Sequence, residues 1–424
     1  MNCPVQSTLR ASLESQREPI AILGGGVSAQ GAVQLLKKIG LPYVIYDQNP
    51  GRGSMFDLAA TKCHRWVICS PSFTLEHPWT SLALAQGATC LSELDFASLY
   101  TTAPVIAITG TNGKTTVTTF LADFFKNLGH RAWSAGNIGR SLSEVIVCEQ
   151  PGPKDFIFCE VSSFQAETSR WITLEHIIWT NFAPNHLNVH ATLENYFKAK
   201  YRLVGPLLCP GGAVFCGVSV KQAAEQMGYV CPNNTHVVQP SPSAPGAFAV
   251  APQRENFALI EAFCQYLHVP QERLNAFAQQ FTRPKYRLED LGIVAGNHYW
   301  NDAKSTNFAA LESALQNFLN ESVIWIGGGR SKGENLTDIV PVLKNRIELA
   351  LLIGETGQEL EPILQSVQIP AVEVKNIESA LKYIKNACIQ GKTIVFSPAF
   401  SSFDQFENYM ARGKSFEEHV FGLR

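Results

Sequence analysis

The stretch Thr109-Gly110-Thr111-Asn112-Gly113-Lys114-Thr115-Thr116 constrains this chain more than any other. It follows the apolar run Val105-Ile106-Ala107-Ile108 and leads into a helical pattern from about Val117. A glycine loop between a buried strand and a helix binds phosphate, because backbone N–H groups at the helix start point at the anion and the helix dipole favours it. In such a loop Lys114 reaches the β- and γ-phosphates and the Thr115 hydroxyl ligates Mg²⁺. Gly110, Thr111, Asn112, Gly113, Lys114, Thr115 and Thr116 are therefore the expected nucleotide site. The loop is tighter than the general pattern, which puts a glycine where Ile108 stands.

Around this loop the chain alternates apolar runs with helical patterns. Residues 1–18 form a polar extension. A strand over 19–23 then leads to the glycine turn Gly24-Gly25-Gly26-Val27-Ser28-Ala29, a helix to about Ile39, and a strand over 43–46 that ends at Asp47. This is nearly the dinucleotide fingerprint, with an acid about 20 residues on, and such a turn holds the diphosphate of any nucleotide. Further strand-like runs at 66–69 and 89–91 complete a first domain. After a linker at 101–104 comes the loop domain, with a glycine turn at 134–139 and strands over 155–159 and 177–180. It also has a helical stretch over 193–203, a surface loop over 229–253 and helices over 257–281. Past a second boundary at 282–285, strands over 323–326, 350–353 and 393–396 end in polar or glycine loops. Strands alternating with helices predict parallel sheets with sites at the strands' C-terminal ends. The expected fold class is α/β with three domains: Rossmann-like over 1–100, a central P-loop parallel-sheet ATPase domain over 101–283, and Rossmann-like again over 284–424.

Composition narrows the partners. At 424 residues the length predicts about three domains. A net charge of −2 with 17% charged residues, and no basic run, predicts no nucleic-acid partner. No apolar stretch reaches the roughly 18 residues of a membrane span, so no membrane insertion is expected. The N-terminus lacks a signal peptide's apolar core, which predicts a cytoplasmic protein. The 11 cysteines are scattered without a CxxC and predict reduced, small hydrophobes.

Three polar loops follow strand ends within the central domain: 109–116, Glu160-Val161-Ser162-Ser163, and 181–190, which carries His186. In a parallel sheet all three share one edge, which gathers a lysine, hydroxyls, a carboxylate and histidines around the same phosphates. Mg²⁺ takes oxygen ligands, and Thr115 and Glu160 are the candidates. Lys200, one turn from Tyr196, has the spacing of an exposed helical lysine. Asp302 and Lys304 follow a short strand. Asp302 suits a ribose, a metal-bound water or an Asx turn.

Taken together, TGTNGKTT, EVSSFQ, N-x-x-x-x-H-L-x-x-H, Y-x-x-x-K-x-R, NDAKSTN and SPAFSSFDQF resemble, in this order and over nearly the whole chain, the Mur ligases. These are ATP-dependent amide ligases that build the peptidoglycan stem peptide. SPAFSSFDQF is most similar to the D-glutamate-adding branch. The resemblance implies ATP and Mg²⁺ as cofactors, and UDP-N-acetylmuramoyl-L-alanine and D-glutamate as substrates of a monomer. It implies catalytic roles for Lys114, Glu160, His186 and Lys200, and metal binding by Thr115, Glu160, His186 and Lys200, with Lys200 carbamylated. Arg287 and Asp302 would contact ATP. The nucleotide sugar would meet Gly26, Val27, Ser28, Asp47 and Asn137, and Thr306, Lys332, Ser402 and Phe403 would surround D-glutamate. The family's Asp-His-Leu-Asp is Asn185-His186-Leu187-Asn188 here, which removes two carboxylates beside the second metal site.

Joining an amine to a carboxylate in water is uphill. ATP drives it if its γ-phosphoryl group first moves to the carboxylate, which leaves the protein to position groups and to stabilise charge. The reactive acyl phosphate needs a dry site, so closure of the third domain over the second is expected. The competing readings are an L-alanine-adding Mur ligase or folylpolyglutamate synthase, an NAD(P)-binding oxidoreductase using the 24–29 turn, and a P-loop switch. The oxidoreductase leaves Lys114 and Glu160 without a role, and the switch needs no amino acid.

Overall fold

The computed structural model describes residues 4–251 and 253–423, so residues 1–3 of the expected first domain lie outside the described residues. The fold holds three sheets. In the first, β1 (Ile20–Leu23), β2 (Tyr43–Tyr46), β3 (Trp66–Cys69) and β4 (Thr89–Ser92) run parallel in the order β2-β1-β3-β4. The second contains β5 (Val105–Thr109), β6 (Ala132–Gly136), β7 (Phe156–Glu160), β8 (His176–Trp179), β9 (Val214–Gly217) and β10 (Thr235–Val238). They are parallel, in the order β10-β9-β8-β5-β7-β6. The third contains β11 (Glu289–Val294), β12 (Asn297–Asn301), β13 (Val323–Gly328), β14 (Leu349–Ile353), β15 (Ala371–Lys375) and β16 (Thr393–Ala399). Its order is β11-β12-β16-β13-β14-β15, parallel except where β11 meets β12. Every residue of β1, β5 and β16 is buried, which is why these strands read as unbroken apolar runs and not as alternating ones.

The chain divides into two compact units. One comprises the described residues up to Phe182, with Phe197–Ser241 and Glu255–Phe277, and holds the first two sheets. The other comprises Ala183–Tyr196, Pro242–Arg254 and the described residues from Ala278 onward, and holds the third. Within the first unit a buried carboxylate links the two sheets' surroundings. Asp95, in the helix Glu93–Ser98, accepts the backbone N–H groups of Arg170, Trp171 and Ile172 at 2.8–3.1 Å. Breaking that contact would leave three donors orphaned, at roughly 1–3 kcal/mol each.

Several local expectations are corrected. Residues 4–14 are not a loose extension but a helix, Pro4–Glu14. Its sequence shows only a weak apolar stripe, yet Leu13 is fully buried, and the Gln6 amide donates to Ser98 Oγ and to the Trp171 carbonyl. Tertiary anchoring outweighs local pattern here. The 229–253 loop contains β10, an edge strand whose single partner is β9. An edge strand needs only one covered side and so carries little apolar signal. The glycine turn at 134–139 begins inside β6. β9, β11 and β15 are additional to the strands expected. Cys69, Cys159 and Cys216 are buried free thiols, as their apolar surroundings indicated. No helix among the described residues is long and apolar enough to cross a membrane.

Candidate active site

The phosphate loop sits at the C-terminal end of β5, the strand flanked by β8 and β7. The helix after it, Lys114–Asn127, starts three residues before the apolar pattern does. Two glycines are dictated by geometry. Gly110 has φ 138° and a Cβ there would lie 2.0 Å from Thr180 Oγ1, while Gly113 has φ 83° and its Cβ would lie 2.1 Å from Asn256 Oδ1. A side chain fits at neither place. The loop is braced by the end of β8: Thr111 N–H donates to the Asn181 carbonyl at 3.1 Å, and Asn112 N–H to Asn181 Oδ1 at 2.9 Å. Thr116 is fully buried.

Register places Glu160, the last residue of β7, beside Ile108. Its carboxylate accepts the Thr115 hydroxyl at 2.8 Å and the Asn137 amide at 3.0 Å. Carboxylate, hydroxyl and amide oxygen form a hard donor set of the kind Mg²⁺ prefers. Among the described residues no three His, Cys, Asp or Glu side chains form a metal-ligating group.

Lys200 is not the exposed helical lysine its spacing indicated. It lies near the end of the helix Leu193–Tyr201 and is 1% exposed. Its Nζ donates to the Gly110 carbonyl at 3.0 Å and lies 3.3 Å from Thr109 Oγ1. Lys114 Nζ donates to the same Gly110 carbonyl at 2.8 Å, and to Thr111 O at 2.9 Å. Burial first, and then the Lys114 ammonium, push the Lys200 amine well below the usual lysine range, against the pull of Glu160. The charged form is thus disfavoured for an amine that faces the phosphate loop.

At the first glycine turn, Gly26 caps the helix Val27–Ile39. Asp47 accepts Gly25 N–H at 2.6 Å and Asn49 N–H at 2.7 Å, and these donors hold its carboxyl below the usual range. Val27 is 63% exposed and Ser28 partly so.

His186 belongs to the second unit, where it adopts a left-handed φ of 56°. There Lys332 Nζ donates to the Thr306 carbonyl at 3.0 Å and to Asn185 Oδ1 at 3.4 Å. These residues line a cavity of about 330 Å³ with His186, Phe308 and Glu334. Ser402 is buried and Phe403 is 63% exposed. One contributor had no sequence signal. Arg412 sits inside the helix Tyr409–Phe421, is 1% exposed, and donates to the carbonyls of Ala303 and Phe400 at 2.9 and 3.0 Å. It ties the loop carrying Thr306 to the loop carrying Ser402.

Arg287 has buried Nε and Nη2 atoms without a hydrogen-bond partner, which fits a residue kept for an anion. Asp302 accepts Leu288 N–H at 3.0 Å and the Ser397 hydroxyl at 2.8 Å. Burial pushes its carboxyl up to about 7, while Ser397, Leu288, Arg287 and Arg283 pull it down. An unfolded Asp titrates near 4. Between those values the folded chain holds a proton that the unfolded chain has lost, so stability falls as pH rises from about 4 to 7. Urea unfolding of the wild type should lose up to about 4 kcal/mol relative to Asp302→Asn across that window, and ¹³C NMR should place the Asp302 midpoint near 7. Equal pH slopes for the two proteins would contradict this.

Comparison with known proteins follows the same lines. The Mur ligase middle domain family matches residues 108–229. The UDP-N-acetylmuramoylalanine–D-glutamate ligase of Aquifex aeolicus is 30% identical over 420 residues, covering 94% of this chain and 97% of the relative. That of Streptococcus mutans is 27% identical, covering 95% and 96%. Among solved structures, MurF from Acinetobacter baumannii superposes with a TM-score of 0.61 at 15% identity, covering 91% of this chain and 98% of that one. The UDP-N-acetylmuramate-alanine ligase MurC from Thermotoga maritima gives 0.59 at 14%, covering 96% and 100%. At such identities the superpositions establish the three-domain α/β fold alone. The near full-length sequence match carries the assignment further: this chain belongs to the UDP-N-acetylmuramoylalanine–D-glutamate ligase family of the Mur ligases.

Proposed function

We propose that this protein is a cytoplasmic, monomeric, ATP-dependent ligase that joins D-glutamate to UDP-N-acetylmuramoyl-L-alanine through an acyl phosphate, in peptidoglycan precursor synthesis. The observation that carries the reading is the gathering of Lys114, Thr115, Glu160 and Lys200 at the end of β5, in a chain related along its length to D-glutamate ligases.

Residues 1–100 hold the UDP portion on the Gly26–Val27–Ser28 turn with Asp47. Residues 101–283 hold ATP on 110–116. Residues 284–424 hold the amino acid and reach ATP through Arg287 and Asp302. Lys114 spreads the negative charge of the transferring γ-phosphoryl group. Thr115, Glu160, His186 and Lys200 would hold Mg²⁺, which would neutralise phosphate charge. Asn137 orients the sugar-linked substrate and keeps Glu160 in place through its amide. The substrate carboxylate takes the phosphoryl group. The D-glutamate amine then attacks the acyl carbon, and phosphate leaves. Lys332 pairs with a carboxylate of the amino acid, flanked by Thr306, Ser402 and Phe403.

Lys200 has the chemistry for carbamylation. Burial and the Lys114 ammonium disfavour its protonated form, and an unprotonated amine can add CO₂ and release a proton to become a carboxylate-like ligand. Lys200→Ala should lower turnover at least 100-fold, and added formate or acetate should restore part of it. Full activity in that variant would remove the carbamate from the mechanism. Phosphate release from ATP and Mg²⁺ should require both UDP-N-acetylmuramoyl-L-alanine and D-glutamate, with L-glutamate and L-alanine inactive. Release with another amino acid would move the specificity, and release with none would make the protein an ATPase.

A further inference from the structure

Arg202 closes the Y-x-x-x-K-x-R motif, two residues after Lys200. Both sit in one hydrogen-bonded turn. Arg202 N–H donates to the Lys198 carbonyl at 3.2 Å, Leu203 N–H to that of Lys200 at 3.1 Å, and Val204 N–H to that of Tyr201 at 2.9 Å. From this turn Arg202 Nη2 donates to the Ser169 carbonyl at 3.1 Å. Its Nε is buried without a hydrogen-bond partner. An unpaired buried donor costs stability, so the residue's own hydrogen bonding does not account for it.

Ser169 is a fixed post. It is fully buried and follows the helix Ser163–Thr168. Its Oγ donates to the Gln165 carbonyl at 2.7 Å and lies 3.3 Å from Ser92 Oγ, and Asp95 accepts the next three backbone N–H groups. The helix opens on a capping box between Ser162 and Gln165, two residues beyond Glu160. Segment 160–169 is therefore held at both ends, and Arg202 meets its far end. Burial and then Glu76 push the Glu167 carboxyl on that helix up, and Arg202 pulls it down. At the near end the Thr109 hydroxyl donates to the Val161 carbonyl at 2.9 Å and lies 3.3 Å from Lys200 Nζ. The turn that carries Lys200 is thus tied to the segment that carries Glu160 at two points. Arginine commonly pairs with carbonyls at a helix C-terminus; this one does so from the turn that aims the Lys200 amine.

We propose that Arg202 is a positioning residue for Lys200: seated on the Ser169 carbonyl, its guanidinium fixes the turn 198–204 against the Glu160 segment and so sets the Lys200 amine at the phosphate loop. The proposal rests on the role given to Lys200 above. A displacement of about 1 Å at a reacting group can cost 100-fold in rate, so one anchor two residues away is enough to matter.

The test uses Arg202→Met, which keeps bulk and loses the donor, and Arg202→Lys, which keeps a donor. R202M should lower kcat at least tenfold with the KM for D-glutamate within twofold, and R202K should keep at least a third of the wild-type rate. In Lys200→Ala rescued by formate, adding R202M should cost less than twofold more, because the residue it positions is gone. A readout without turnover is reductive methylation of Lys200 in metal-free and nucleotide-free protein, followed by mass spectrometry. R202M should be labelled there at least fivefold faster than wild type, while Cys264, a buried thiol of the same unit, stays unreactive. A reactive Cys264 would mark global unfolding, and Arg202→Gln, which loses reach and keeps a polar donor, then takes the place of R202M with the same expected outcomes. Wild-type kcat and labelling in R202M, a loss of equal size in the Lys200→Ala background, or an R202K no better than R202M would overturn the proposal. Failure of the Lys200 reading is separate: it would show as full activity in Lys200→Ala with Arg202 intact.

Discussion

Two lysine amines share one carbonyl. Lys114 and Lys200 both donate to Gly110 O, at 2.8 and 3.0 Å, and one of the two is sealed from solvent. Two ammonium groups at that spacing repel, and burial adds to the cost of the inner one. The arrangement eases this by pushing the Lys200 amine toward its unprotonated form. Much of the surrounding structure serves the contact. Gly110 must be glycine because Thr180 fills the space a side chain would take. Thr180 and Asn181 hold the loop from the β8 side, and Glu160 sits on the β7 side. The central position of β5 brings these strand ends together. A buried amine of lowered pKa, beside a carboxylate and a phosphate loop, is an environment built for chemistry and costly for stability alone.

The second unit shows a related economy of charge. Lys332 is aimed by neutral oxygens, Asp302 is held partly protonated by burial, and Arg287 keeps donors in reserve. Arg412 makes its contacts to backbone carbonyls, joining the loops that carry Thr306 and Ser402. These groups share a feature with the first unit: backbone and amide contacts place the charges. For a ligase this is consistent with a reaction in which phosphoryl charge and carboxylate charge both have to be handled away from water.

Much of this was legible in the sequence. β5 read correctly because a strand covered on both faces is an uninterrupted apolar run, and the glycines of its loop announce backbone geometry. Glu160 was legible as the polar residue ending the next such run. Lys200 was not legible from its residues. Helical spacing says which face a residue occupies, and burial here depends on contact with a loop about ninety positions away. The family resemblance supplied a role that periodicity could not. Arg412 was missed for the same reason, since an arginine near the start of the last helix looks solvated until its carbonyl partners are in place. The helix Pro4–Glu14 was missed because its anchors are a glutamine and one leucine, and edge strand β10 because its flanks are rich in proline and asparagine.

The central claim is that the γ-phosphoryl group passes to the substrate carboxylate before the amide forms. UDP-N-acetylmuramoyl-L-alanine carrying ¹⁸O in both carboxylate oxygens tests it directly, with ATP, Mg²⁺ and D-glutamate present. The account predicts that each released phosphate carries one ¹⁸O and that the amide keeps the other. Phosphate with no ¹⁸O, its new oxygen drawn from water, would contradict it and make the hydrolysis of ATP separate from bond formation.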